Sequence, residues 1–139
     1  MIMGKLVIVG LGLIGGSMAL DLKKRLKYQI YGIDKNPEHI KSALRLGIID
    51  KETNFSNLKD IEVVIVAVPV NHIAEVSQKV LDNISDGALV LDVGSVKNNI
   101  CEALNKHPKR QNFVAAHPLA GTEFSGPEAA IENLFDCLL

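Results

Sequence analysis

The chain has 139 residues, 47% hydrophobic and 22% charged, with 15 Lys and Arg against 16 Asp and Glu for a formal net charge of -1. That length suits one domain with a real core, since a chain of about 150 residues buries roughly 68–70% of the surface it exposes when unfolded. The near-neutral balance argues against a nucleic-acid binder that works by phosphate neutralisation, and the wealth of Val, Ile and Leu excludes disorder. Cys101 and Cys137 form neither a disulfide framework nor a metal-ligand spacing, which suits reduced thiols in a cytoplasm-like compartment. The apolar stretch Leu6 to Leu20 is shorter than the ~18 residues of a membrane span and lacks a small-residue cleavage site, so no membrane segment or secretory signal is expected.

Lys5–Gly10 is a compact apolar run ending in glycine. Ile14, Met18 and Leu22, with Ala19 and Leu26, then recur at helical spacing. Gln29–Asp34 reads as a second strand. Asn36 and Pro37 supply the N-cap and first residue of a helix whose inner face is Ile40, Ala43 and Leu44, and Gly47 marks its end. The segment 48–60 has little pattern and predicts only a short strand. Val63–Val68, closed by Pro69, has the continuous apolar character of a strand buried on both faces. A helix over 71–83 follows, with Ile73, Val76, Val80 and Leu81 inward. After it come a strand at Ala88–Val93, a helix from Val96 to about Lys106 with Ile100, Cys101 and Leu104 inward, and a last strand at Phe113–Ala116. Strands alternating with helices predict an α/β fold: a Rossmann-type doubly wound parallel sheet in three αβα layers.

The chemistry begins at Gly10-Leu11-Gly12-Leu13-Ile14-Gly15, directly after a strand and opening a helix. With Asp34 about 20 residues on, at the end of the second strand, this arrangement points to a dinucleotide. Gly10 permits the tight turn, Gly12 lets backbone approach a pyrophosphate, and Gly15 lets the helix pack on the sheet; Leu13 and Ile14 offer N–H groups at the positive end of the helix dipole. A nucleoside-triphosphate P-loop would need lysine where Gly16 stands. Tyr31 and Lys35 imitate a Tyr-x-x-x-Lys catalytic pair, but at strand rise they lie about 13 Å apart. Asp34 would accept from ribose hydroxyls and repel a 2′-phosphate, which favours NAD over NADP, with Lys35 beside it tempering the preference.

Val68-Pro69, Asp92-Val93-Gly94-Ser95 and His117-Pro118 close the fourth, fifth and sixth predicted strands, at the sheet end where open α/β folds bind ligands. Pro118 biases His117 towards an extended backbone that projects the ring, which makes His117 the best of the four histidines for proton transfer. His39 and His107 read as solvated, and His72 opens a helix near the cofactor edge. Ser95 is placed to cap the helix at Val96. Gly121 and Gly126 flank Thr122 and Glu123 in a stretch suited to a mobile loop over a site.

Together, Gly10 to Ser17, Ala67-Val68-Pro69, Asp92 to Lys97 and His117 to Gly126 resemble the prephenate dehydrogenase family over essentially the whole chain. The resemblance implies NAD-dependent oxidative decarboxylation of prephenate to 4-hydroxyphenylpyruvate in tyrosine biosynthesis. His117 would take the substrate hydroxyl proton, Ser95 would bond near that hydroxyl and the nicotinamide, and Glu123 would belong to a loop controlling access. It implies as well a second, mostly helical domain that forms a homodimer and binds the substrate carboxylates. Residues 1–139 are then expected to be the dinucleotide-binding domain alone, C-terminally truncated and not competent to turn over by itself. Arogenate dehydrogenases share these motifs; an imine reductase, a 3-hydroxyacid dehydrogenase or a non-catalytic NAD-binding module are the other readings.

Overall fold

The computed structural model describes residues 4–93 and 98–115. Six strands, β1 (Gly4–Val9), β2 (Tyr28–Ile33), β3 (Lys51–Glu52), β4 (Val63–Val66), β5 (Leu89–Asp92) and β6 (Phe113–Ala115), form one sheet in the order β3-β2-β1-β4-β5-β6. Every pairing is parallel. The order reverses beside β1, and a doubly wound sheet opens a crevice at such a point, beyond the carboxyl ends of its strands.

Among the described residues four α-helices connect the strands: α1 (Leu13–Arg25), α2 (Pro37–Arg45), α3 (Val70–Asn83) and α4 (Asn98–Leu104). Alternation along β1 sorts the core into two layers. Leu6 and Ile8 point to the side of α1 and α2, meeting Ala19, Ile40 and Ala43. Val7 and Val9 point to the side of α3 and α4, meeting Ile73, Val80, Leu81, Ile100 and Leu104. Both faces of the central strands are thus covered, which is why their sequences are apolar throughout.

Helix boundaries follow local chemistry. The Asn36 side chain accepts from Glu38 N at 3.0 Å, and Pro37 occupies the first turn, where a missing N–H costs nothing. Gly47 at φ +72 ends the segment, and Ile48 N returns to Ala43 O at 2.9 Å. β4 stops at Val66 instead of Val68, and Pro69 caps α3 with φ -52 and ψ 145. Leu44, expected inside, is 42% exposed, because Ile40 and Ala43 already fill the contact with the sheet. Of the face expected on α1, Ala19 is fully buried, Ile14, Met18 and Leu22 are half-buried, and Leu26 is 42% exposed because it lies at the end of the helix; the other deep positions are Leu13, Gly15, Gly16, Ser17 and Asp21. Small residues let α1 approach the sheet, so its larger side chains are pushed to the flank, where Met18 and Leu22 line an apolar groove of about 210 Å³. Among the described residues no helix is long and apolar enough to cross a membrane.

The edge strand β3 is held by charge. Asp50 accepts from Ile30 N at 2.9 Å and pairs with Lys23 Nζ at 2.9 Å, tying α1, β2 and β3 together. Burial pushes the Asp50 carboxyl up, but the Ile30 N–H and the Lys23 ammonium outweigh it and hold it below the ordinary carboxylate range. A depressed folded value contributes stability above the unfolded value of about 3.9, and that contribution is lost as pH falls through the folded one. Asp50→Asn is therefore expected to destabilise by about 1 kcal/mol at pH 7, a figure already discounted for exposure, with the gap to wild type closing below about pH 4. Thermal melts across that range check it; an equal gap at pH 7 and pH 3 would contradict it.

Candidate functional site

The crevice at the switch point is built around Gly10. Its N–H donates to Ile33 O at 2.8 Å, which ties the exit of β1 to the end of β2. Its φ of +97 is a left-handed conformation that favours glycine, and a Cβ there would meet the Ala67 carbonyl oxygen at 2.7 Å and Val68 N at 2.9 Å. The turn is thus pressed against the chain leaving β4, so Gly10 and Val68 are brought together. Val68 packs on the α3 side of the core, and Pro69 starts α3 next to it.

Gly12 and Gly15 have different physical duties. A Cβ on Gly15 would be driven into the Gly10 carbonyl oxygen, so the start of α1 can lie against the turn only as glycine. A Cβ on Gly12 would meet nothing within 4 Å, and the backbone there (φ -84, ψ -157) is open to any residue. Gly12 therefore faces open space. As N-cap it provides no side chain to bond, and the first rung of the helix is Gly16 N to Gly12 O at 2.9 Å. The N–H groups of Leu13, Ile14 and Gly15 precede that rung, which leaves a helix N-terminus suited to an anion.

Asp34 locks this turn from the other side. Its Oδ2 accepts from Leu11 N at 2.8 Å, and its Oδ1 accepts from Asn36 N at 2.8 Å. The carboxylate is only 9% exposed and fixes the turn above to the N-cap of α2 below. Leu11 anchors the same peptide by its fully buried side chain, which packs over Gly32, where a Cβ would meet Leu11 Cδ1 at 3.0 Å. Leu11 and Gly32 carry no polar side chain, and only their place between β1 and Asp34 marks them.

His39 corrects the sequence reading. Instead of being solvated, its Nδ1 lies 3.1 Å from Asp34 Oδ2. The usable signal was its place in the first turn of a helix that begins three residues after the carboxylate. His107 is likewise engaged: Nε2 lies 2.8 Å from Asp82 Oδ1, and Nδ1 accepts from Lys109 N at 3.0 Å. That network staples α3 to the segment after α4. His72 is exposed at the start of α3. Tyr31, on β2, donates to Gln29 Oε1 at 3.0 Å. Asp92 ends β5 fully buried. Gly94, Ser95, His117, Thr122 and Glu123 lie outside the described residues. Among the described residues no cluster of His, Cys, Asp and Glu could hold a metal. A cavity of about 430 Å³ between Tyr31 and the crossover at Thr53 to Ile61 includes none of the residues of the glycine turn.

A six-stranded parallel sheet in this order, with a glycine turn, an uncapped helix start and a carboxylate after the second strand, defines a dinucleotide-binding domain of Rossmann type. The family model for the nucleotide-binding domain of prephenate dehydrogenase matches residues 18–138, and the chain belongs to that family. It is 38% identical over 136 residues to the prephenate dehydrogenase of Bacillus subtilis (strain 168), covering 94% of this chain and 37% of that protein. It is 36% identical over 140 residues to that of Lactococcus lactis subsp. cremoris, covering 96% and 39%. The structure of prephenate dehydrogenase from A. aeolicus in complex with hydroxyphenyl propionate and NAD+ superposes with a TM-score of 0.87 at 39% identity, over 96% of this chain and 48% of that one. Arogenate dehydrogenase of Synechocystis gives 0.84 at 33% identity, over 94% and 46%. The chain thus spans less than half the length of these relatives.

Two substitutions separate architecture from binding. Gly15→Ala is expected to destabilise by about 2 kcal/mol, through collision with the Gly10 carbonyl. Gly12→Ala is expected to shift Tm by no more than about 2 °C, because capping by Ala or Gly differs little beside the collision at Gly15, yet to weaken dinucleotide binding at least about tenfold by filling the approach to the helix start. Equal effects of Gly12→Ala on binding and on melting would contradict this division.

Proposed function

We propose that this chain is the NAD-binding part of an enzyme that oxidatively decarboxylates prephenate to 4-hydroxyphenylpyruvate in tyrosine biosynthesis. The observation that carries the reading is the glycine turn held by Asp34, with its uncapped helix start facing open space at the switch point. The family match and the NAD+ named with the A. aeolicus structure support the choice of cofactor. Backbone N–H groups of Leu13, Ile14 and Gly15 would receive the pyrophosphate, Asp34 the adenosine ribose hydroxyls, and the backbone at Val68 and Pro69, with Gly94, would border the far half of the cofactor.

The bound nicotinamide supplies the hydride acceptor. The chain's own contribution to the chemistry is assigned to His117, which as a neutral imidazole would hold the substrate hydroxyl and accept its proton, and to Ser95, which would hydrogen-bond beside it. Thr122 and Glu123 would belong to a loop over the substrate. Loss of CO2 makes the ring aromatic, which drives the reaction forward. The complete enzyme is proposed as a cytoplasmic homodimer, with the dimer contacts and the pocket for the substrate carboxylates provided by the part of the relatives that lies outside the matched span.

Calorimetric titration tests the cofactor assignment. The 139-residue chain is expected to bind NAD+ with a Kd below about 1 mM and NADP+ at least about tenfold more weakly at pH 8, while Asp34→Asn narrows that difference. His117→Asn is expected to leave the NAD+ Kd within about twofold, since its role is towards substrate. Failure of wild type to bind either dinucleotide, or equal affinities for the two, would overturn the assignment.

A further inference from the structure

We propose that His39 sets the cofactor choice of this domain by its protonation: neutral His39 leaves the Asp34 site anionic and selective for a free ribose, while protonated His39 cancels that charge and admits a 2′-phosphate. The inference deepens the NAD reading above and rests on it. Asp34 Oδ2 is shared by Leu11 N at 2.8 Å and His39 Nδ1 at 3.1 Å. An ionised carboxylate only accepts, so His39 Nδ1 carries a proton here in either charge state, and the second proton at Nε2 changes the charge of the pair without breaking the contact. The contact lies at the end of β2, where a carboxylate rejects NADP by repulsion and where a cation admits it.

Of the pair, His39 is the member open to solvent. The His39 side chain is 35% exposed, so solvent protons reach it, whereas Asp34 is 9% exposed and held by two backbone N–H groups. On α2 the positions three and four residues away, Asn36, Ser42 and Ala43, carry no charge. Neighbouring Glu38 is 3.6 Å from Lys41 Nζ. The glycine turn at Gly10 to Gly12 presents backbone and no ionisable side chain, and the adjacent turn adds only the exposed Lys35. With His39 neutral, the Asp34–His39 pair at the end of β2 carries one negative charge. With His39 protonated the pair is neutral and no longer repels a 2′-phosphate.

The test measures Kd for NAD+ and NADP+ at pH 8.0 and pH 6.0 on wild type and His39→Gln, a variant that keeps a neutral donor and cannot charge. The ratio of the NADP+ Kd to the NAD+ Kd is expected to fall about three- to tenfold more in wild type than in His39→Gln on going to pH 6. The variant absorbs the part due to the 2′-phosphate itself, whose second ionisation lies near pH 6. Independently of any variant, the NMR titration of the His39 ring in wild type is expected to move to higher pH when NADP+ saturates the protein and not when NAD+ does, as linkage requires. Parallel ratios in both proteins, or a His39 titration indifferent to NADP+, would overturn the proposal while leaving NAD binding intact. Binding of neither dinucleotide by wild type would overturn both readings.

Discussion

One largely enclosed carboxylate, Asp34, holds the turn at the functional end of this domain. Asp34 receives the Leu11 N–H from the turn after β1 and the Asn36 N–H from the cap of α2, so one side chain joins the exits of two parallel strands. Hydrogen bonds to an ionised acceptor are about twice as strong as neutral ones, and this pair acts where the chain has left the sheet ladder. The Gly10 N–H to Ile33 O bond lies beside it and fixes the same two strands through backbone alone. Together they hold the glycine turn and give the first N–H groups of α1 a fixed direction.

The rest of the architecture follows from what the turn requires. Gly15 can approach only because it lacks a Cβ, and that approach draws α1 down so far that small side chains, Gly16, Ser17 and Ala19, form its buried line. The larger Met18 and Leu22 are displaced to the flank, over Ile65 and Leu91 on the β4–β5 side of the sheet. A binding feature at one end of the helix thus determines how the whole helix packs. Sequence periodicity, which weighs hydrophobicity but not closeness of approach, finds Ala19 but passes over Gly15, Gly16 and Ser17.

Other elements were legible for equally physical reasons. The apolar strands β1 and β4 and the signed ends of α2 can be read because burial on both faces and capping each leave local marks. The two-residue edge strand β3 could be read only as a short strand somewhere in 48–60: both residues are exposed, and the pairing of Tyr31 with Lys51 and Gly32 with Glu52 is what places it. In the crossover that follows, the Asn54 side chain organises a turn by accepting from Ser56 N at 3.0 Å, a local bond that hydrophobic patterning does not register. The glycines and Asp34 were legible as a spaced motif, whereas the His39 contact depends on how the first turn of α2 is oriented against the end of β2. Similarity to prephenate dehydrogenases over 94–96% of the chain agrees with the family that the motifs resemble.

The central claim is that the clamped glycine turn is where the dinucleotide lies. Amide chemical shifts of the 15N-labelled chain, followed while NAD+ is added, test it most directly. The account predicts that the largest changes fall on Gly10 to Gly15 and on Asp34 and Asn36, with the cavity from Thr53 to Ile61 undisturbed. Changes concentrated in that cavity, or along the groove at Met18 and Leu22, with the glycine turn unmoved, would contradict it.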